Sequence, residues 1–350
     1  MIGLGVRTNK INAGGATSPP ANTVAPTVSG TAVVGQTLTT TNGTWTNSPS
    51  SYTYQWYRVA SAISGATNST YTLVQADAGN TSNIKCVVTA TNAGGSASAD
   101  SNTVARVLDT DTNTYISGLT LTSGEINSYN TFFIGMRSGG YNTLIDRLHV
   151  YAGATQSASN KSLYGGYTAI PVNSPTWTRK VGYTHTGTSY IRTGWIPATN
   201  GVNFTRNTHT VQVYVERATT TNVILTGDFD GGTKSHYINW KNTGGIDVSD
   251  YGSVMVDAFT GTTTANKLFA VQRTSSTSVT NYRDASTNTI SNTTVDNLQS
   301  IEWYDSGRNL SGSVQLPMGS GDKSVYGINA GSTISVSAVN TLIQSLISSL

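Results

Sequence analysis

The sequence predicts an all-β chain: two successive sandwiches, preceded by a polar arm and closed by one C-terminal helix. Three observations carry this. Charged residues make up only 11% of the 350, and Thr, Ser, Asn and Gly fill the deficit. The 36 glycines and 18 tyrosines suit many short strands joined by tight turns. Apolar residues still reach 37%, and they recur with period two in run after run, as half-buried strands require. The net charge of +3 is small, and Lys and Arg are scattered with no run that would grip a phosphate backbone, which argues against a nucleic-acid partner. No stretch is apolar for the roughly 18 residues of a membrane span, so no membrane insertion is expected. The opening MIGLGVRTNKINAGG turns polar too early for a secretory signal.

Residues 1–22, rich in Gly, Asn, Ser and Pro, read as an arm with too little apolar surface to order itself. It is expected to lie against another subunit. Residues 23–108 read as the first sandwich. PTVSGTAVVGQTLTTT gives two strands around Gly35, with Val33, Leu38 and Thr40 alternating. SYTYQWYRV sets Tyr52, Tyr54 and Trp56 on one face, and TYTLV sets Tyr71 and Leu73 in another inward row. IKCVVTATN and SADSNTVAR complete the series. Cys86 is the only cysteine, which excludes an internal disulfide and a cysteine zinc cluster. Its alternation with Ile84 and Val88 makes it a small core residue rather than a nucleophile.

After a polar joint at Asp109 to Asn113, residues 109–350 read as a larger sandwich. TYISGLTLTSGEI and TFFIGMRSG are candidate strands, followed by TLIDRLHVYAGATQ, SYIRTGWIPA, HTVQVYVERA, NVILTGDFD, HYINWK, KLFAVQRTSSTSVTNYRDAS and LQSIEWYDSG. In HTVQVYVE the row Val211, Val213 and Val215 opposes Gln212 and Tyr214. About a dozen strands over this length suit a jelly roll better than a repeat of the first unit. The chain ends on SVSAVNTLIQSLISSL, where Val336, Val339, Leu342, Ile343, Leu346, Ile347 and Leu350 recur at helical spacing. Ser335 or Ser337 is available as N-cap, which predicts a helix over about 335–350 packed on a sheet. An oligomer-forming helix is the alternative.

The segment GQTLTTTNGTW…YTYQWYR…ISGATNSTYTL…ADAGNTSNIKCVVTATNAGGSAS resembles the bacterial and phage Ig-like domains of adhesins and virion proteins. The resemblance implies Trp56 on the central strand, Cys86 facing Leu38, and Ile84 where the family often has its corner tyrosine. Packing would then replace the disulfide, which suits folding in a reducing cytoplasm. The runs DRLHVYAGATQ, VNSPTWTRKVGYTHTGTSYIRTGWIPATNGVNFTRNTHTVQVYVE and LFAVQRTSSTSVTNYRDA, with the terminal helix, are similar to the concanavalin A-like (laminin G-like) domains of tailed-phage structural proteins. That likeness implies a lectin-like jelly roll on a virion and names no ligand.

Hydrolases on the concanavalin A-like fold work with two carboxylates placed across a sugar bond, usually as Glu-x-Asp-x-x-Glu on one strand. Of the three glutamates, Glu125, Glu216 and Glu302, none has a carboxylate two residues along. Asp305 would point to the face opposite Glu302. All read as exposed single acids, and the chain is expected not to be an enzyme. His149, His185, His209 and His236 are dispersed and read as polar surface or strand residues. Neither a Gly-x-Ser-x-Gly elbow nor a Gly-x-x-x-x-Gly-Lys loop is present.

One run is a binding candidate: GDFDGGTKSHYINWKN. Asp228 and Asp230 in a glycine-rich turn are candidate Ca²⁺ ligands, while Tyr237 or Trp240, with Asn242 beside them, is a candidate platform for a sugar ring. The plainer reading is a hairpin turn with solvated acids and one buried tryptophan, since the further acids of a calcium loop are missing. Apart from that calcium no cofactor is expected. The function expected is that of a phage virion component, a capsid-attached spike, head fibre or tail appendage assembled in the host cytoplasm. Its arm would dock on other virion proteins, the first sandwich would be a stalk, and the second would meet host-surface glycan. A homo-oligomer, a trimer foremost, would multiply weak sites. A bacterial surface adhesin and a polysaccharide-degrading enzyme are the alternatives.

Overall fold

The computed structural model describes residues 17–205, 207–216, 223–229, 235–240, 246–250, 254–255, 267–284, 286–291, 303–305, 308–310, 313–315, 323–331 and 334–350. The chain divides into two compact units, residues 1–110 and 111–350. The fold is all-β with helices added, and a helix closes the C-terminus.

In the first unit one sheet runs Ser61–Ala62, Ser51–Arg58, Ile84–Asn92, Gly95–Asp100, and the other Val28–Ser29, Thr37–Thr40, Thr70–Thr72. Burial alternates residue by residue along Ile84–Asn92, so Ile84, Cys86, Val88 and Ala90 all point inward. Cys86 stands in register with Trp56 on the neighbouring strand, and both are fully buried with Leu38 and Leu73. The Trp56 indole N–H donates to the Asn68 carbonyl at 2.9 Å, so the ring is buried without an unpaired donor. Each large side chain buried in this way stabilises the unit by roughly 1.5–3 kcal/mol.

Of the expected arm, residues 1–16 lie outside the described residues. Residues 17–22 run along the first unit itself. The Asn92 amide donates to the Ser18 carbonyl at 2.9 Å and the Asn47 amide to the Pro19 carbonyl at 2.7 Å. Gly94 leaves room for this approach, because a β-carbon there would stand 1.8 Å from the Thr17 carbonyl oxygen.

In the second unit one sheet runs Thr176–Thr178, Gly182–Thr184, Lys323–Ala330, His209–Glu216, Lys267–Ser275, Ser278–Arg283, Ser286–Ser291, with Ile145–Val150 also paired to Lys323–Ala330. The other runs Ile170–Val172, Tyr190–Arg192, Tyr304–Asp305, Val223–Phe229, Ser235–Trp240, Ile246–Asp250, Val254–Met255. Val211, Val213 and Val215 pack between the sheets with Leu225, Ile238, Trp195 and Trp303. The opposite face of that strand is covered as well, with Tyr214 half-buried on it. Gln212 is buried, and its amide donates to the Tyr326 hydroxyl at 2.6 Å, which donates to Asn340 of the terminal helix at 2.7 Å. Helices therefore cover the outer face of this sheet as a third layer.

Two of those helices replace expected strands. Thr110–Ile116 and Ser123–Ser138 are helical where TYISGLTLTSGEI and TFFIGMRSG read as β. The reason lies in Thr122-Ser-Gly-Glu125. The Thr122 hydroxyl accepts from the Glu125 N–H at 3.3 Å and the Glu125 carboxylate accepts from the Thr122 N–H at 2.7 Å, a reciprocal cap. Tyr129, Phe132, Phe133 and Met136 then fall on one buried face at helical spacing. The polar joint is buried in part: Thr110 and Asn113 are exposed, but Asp109 is buried and accepts from the Gln75 amide at 2.8 Å. The terminal helix is Val336–Ser349, and the Ser335 hydroxyl accepts from the Ala338 N–H at 3.3 Å. It packs on Ser123–Ser138 at Gly135, where a β-carbon would lie 2.7 Å from Leu342 Cδ2. Among the described residues no helix is long and apolar enough to cross a membrane.

Candidate functional site

The structure brings only part of the expected binding run together. Asp228 lies within strand Val223–Phe229 rather than in a turn, opposite His236 on one side and Asn309 on the other. Tyr237 pairs with Gly227 and Ser249, and Trp240 with Val223 and Ile246. The expected calcium turn is corrected to that extent, since Asp228 has its backbone engaged between two strands. Asp230 and Asn242 lie outside the described residues. Among the described residues no group of three or more His, Cys, Asp or Glu side chains is placed to hold a metal ion.

A constellation the sequence did not announce lies between the two sheets of the second unit. Arg147, fully buried on Ile145–Val150, donates to both oxygens of Asp305, at 2.7 and 3.1 Å, and to Asn329 Oδ1 at 2.7 Å. Asp305 also accepts from the Tyr151 hydroxyl and, at 2.8 Å, from the Thr226 hydroxyl. Burial alone would raise the carboxyl's pKa; the Arg147 charge and these hydrogen bonds outweigh it and hold the pKa below the usual carboxylate range. Gly327 passes over the pair because a β-carbon there would meet Asp305 Oδ2 at 2.5 Å. His149 stacks on Tyr151, with ring centres 5.7 Å apart, and burial together with the Arg147 charge pushes it down to about 3. The arrangement joins the sheets through a bidentate, fully hydrogen-bonded ion pair.

Several single-residue expectations change accordingly. Asp305 and Glu125 are buried rather than exposed, Glu125 capping a helix and pairing with Arg179 at 2.9 Å. His149 and His209 lie in strands, as one half of the expectation had it, but both are buried, and so is His185. His185 sits between Ser189 Oγ at 3.0 Å and Ser324 Oγ at 2.9 Å, and burial pushes it down to about 4.

An accessible feature lies on the first unit. A cleft of about 820 Å³ is lined by Tyr52, Thr53, Tyr54, Asn68, Ser69 and Thr70. A second groove of about 320 Å³ shares Asn68 and Thr70 with it. Alternation had already placed Tyr52 and Tyr54 on one face. It could not show that this face opens at the side of the sandwich, because that depends on which strands lie at the sheet edges.

No family model and no curated protein matches the chain. Solved structures are similar at low identity. The Trypanosoma rangeli sialidase in complex with sialic acid is 12% identical with a TM-score of 0.44, over 91% of this chain and 53% of that one. Domain 4 of AbnA, a GH43 extracellular arabinanase from Geobacillus stearothermophilus in complex with arabinotriose, is 14% identical with a TM-score of 0.39, over 57% and 98%. The botulinum neurotoxin serotype D binding domain is 7% identical with a TM-score of 0.41, over 60% and 52%. The chain spans about half the length of the sialidase it matches. Likeness at this level transfers no residue role. It does correct one expectation: several of the similar structures are sialidases, which are enzymes, so the chain is no longer described as lacking enzymatic activity.

Proposed function

We propose that the chain is a component of a bacteriophage virion that displays its second, lectin-like β-sandwich unit for attachment to host-surface glycan, with the first unit as a stalk. The observation that supports this reading is the first unit's core. Cys86, Trp56, Leu38 and Ile84 fill it by packing alone, at the position where a secreted sandwich of this type is stapled by a disulfide. A unit built in this way folds in a reducing cytoplasm, where virions are assembled, and functions after release. Residues 1–22 would dock the chain on other virion proteins, and several copies, a trimer foremost, would combine weak sugar sites through avidity.

Two measurements test this. Purified particles are probed with antibody against the chain, in parallel with particles grown on a chain lacking residues 1–16. The expected result is surface labelling that disappears with the truncation while the isolated truncated chain still melts as two folded units. Unlabelled particles, or full incorporation of the truncated chain, overturn the virion reading and the docking role respectively. The purified chain is also incubated with host polysaccharide and assayed for retention and for new reducing ends. Retention is expected; release of reducing ends would identify the encounter as cleavage, and neither signal would remove the glycan from the reading.

A further inference from the structure

We infer that the cleft of the first unit is a binding site for a neutral saccharide, which makes this sandwich a recognition unit and not only a spacer. The inference goes beyond the virion reading and does not depend on it. Among the described residues, strand Ser51–Arg58 is paired on its outer side with Ser61–Ala62 only through Tyr57 and Arg58. Strand Thr70–Thr72 is paired only with Thr37–Thr39. The cleft lies between these two edges, with Tyr52 and Tyr54 along one wall and Asn68, Ser69 and Thr70 along the other.

The walls are held in place before any ligand arrives. The Tyr54 hydroxyl donates to Asn42 Oδ1 at 2.7 Å, which fixes its ring. The loop carrying Asn68 is pinned at three points: the Trp56 indole donates to the Asn68 carbonyl at 2.9 Å, the Trp56 N–H to the Ala66 carbonyl at 3.0 Å, and the Thr40 N–H to the Ser69 carbonyl at 2.9 Å. Pre-organisation of this kind reduces the entropy lost on binding. By contrast, the Tyr52 and Thr70 hydroxyls and the Asn68 amide make no hydrogen bond among the described residues, and all three residues line the cleft.

The chemistry of those groups selects the ligand. They supply donors and acceptors in both directions, two aromatic rings and no formal charge. A phosphate or carboxylate ligand would find no cation in the lining. A purely apolar ligand would leave the amide and hydroxyls unpaired. A pyranose, with apolar C–H faces for the tyrosines and a rim of hydroxyls for Asn68 and Thr70, satisfies both halves. The cleft's size falls within the roughly 300–1,000 Å³ range of small-molecule sites. It is open on one side, so affinity per site should be on the order of millimolar and become useful through repetition.

The experiment presents the full-length chain, at one concentration, to arrays of hexasaccharides of glucose, galactose, mannose, rhamnose and N-acetylglucosamine, with oligogalacturonate and sialylated glycans beside them. At least one neutral series is expected to be retained and the acidic ones not. Asn68 and Thr70 are exposed, so Asn68→Ala and Thr70→Arg should leave the melting temperature unchanged. Each should weaken retention by about tenfold or more, the loss of one or two hydrogen bonds. Retention unchanged in both variants, preference for the acidic glycans, or failure of every neutral series overturns the inference. So does a concentration-dependent self-association that Thr70→Arg abolishes with no sugar retained, since that would assign the two edges to strand pairing.

Discussion

Asp146 shows how one buried acid organises a loop more than fifty residues along the chain. It sits in strand Ile145–Val150 and accepts from the backbone N–H groups of Val202, Asn203 and Phe204, at 2.7, 2.9 and 2.8 Å, and from the Asn203 amide at 2.9 Å. The run Asn-Gly-Val-Asn and the run Asp-Arg-Leu-His are thus two halves of one clamp. It gathers the N–H groups of this loop onto one carboxylate, and the buried Phe204 N–H would be unpaired without it. Asp146→Ala should lower stability by about 1–3 kcal/mol, the order of cost of leaving one buried donor unpaired. Asp146→Asn, which keeps one acceptor oxygen, should fall between. Denaturant unfolding of the three proteins checks this, and equal stabilities would remove the clamp from the account. Cys86 makes the opposite kind of prediction. Burial pushes its thiol up to about 11, so a thiol reagent at neutral pH should leave it unmodified in the folded chain and modify it once denaturant is added. Rapid labelling of the native protein would contradict its place in the core.

At the scale of elements, helix Ser123–Ser138 rests on its N-terminal box as well as on its aromatic face. Thr122→Ala removes the hydroxyl that accepts from Glu125 N–H and donates to the Glu125 carboxylate at 2.9 Å, while that carboxylate keeps the Thr122 N–H and its pairing with Arg179. A cost of about 1 kcal/mol is expected, read as a lowered melting temperature; no change would leave the helix held by packing alone. The box was legible in the sequence as Thr-x-x-Glu. The β-rich aromatic run after it, Tyr129 to Phe133, favoured the wrong period. The first unit was legible in detail, because its strands are buried on one face only and alternation then reports burial directly. Strand His209–Glu216 was legible as a strand but not in its surroundings. Once a helix layer covers the second face, a buried glutamine such as Gln212 looks in sequence like a solvated one. Asp305 and Arg147 are 158 residues apart, and no local pattern could report that they meet. Of the expected sugar-binding residues, Tyr237 and Trp240 were correctly placed on one strand. The open cleft on the first unit escaped notice because its walls come from two edges that only the topology sets side by side.

For the molecule as a whole, the buried titratable groups divide the two units by pH. His149 and His185 have pKa values near 3 and 4 when folded, against about 6.5 for an exposed imidazole. A depressed histidine pKa means that the unfolded chain binds the proton first. Stability contributed by the neutral rings is therefore complete above about pH 6.5 and is lost progressively as pH falls toward 4 and then 3. Asp305, also depressed, adds a loss of the same sign below the ordinary carboxylate range, where the unfolded carboxyl protonates and the folded one still pairs with Arg147. All three groups belong to the second unit, and residues 1–110 contain no histidine. Calorimetry at neutral pH and at about pH 4.5 should show the second unit's transition moving down by an amount corresponding to a few kcal/mol, while that of the first unit moves much less. His185→Gln, which can still bond Ser189 and Ser324, should flatten the slope between about pH 6.5 and 4 without changing the fold. Transitions that shift in parallel, or a slope that the glutamine leaves intact, would show that acid acts through charges other than these buried rings.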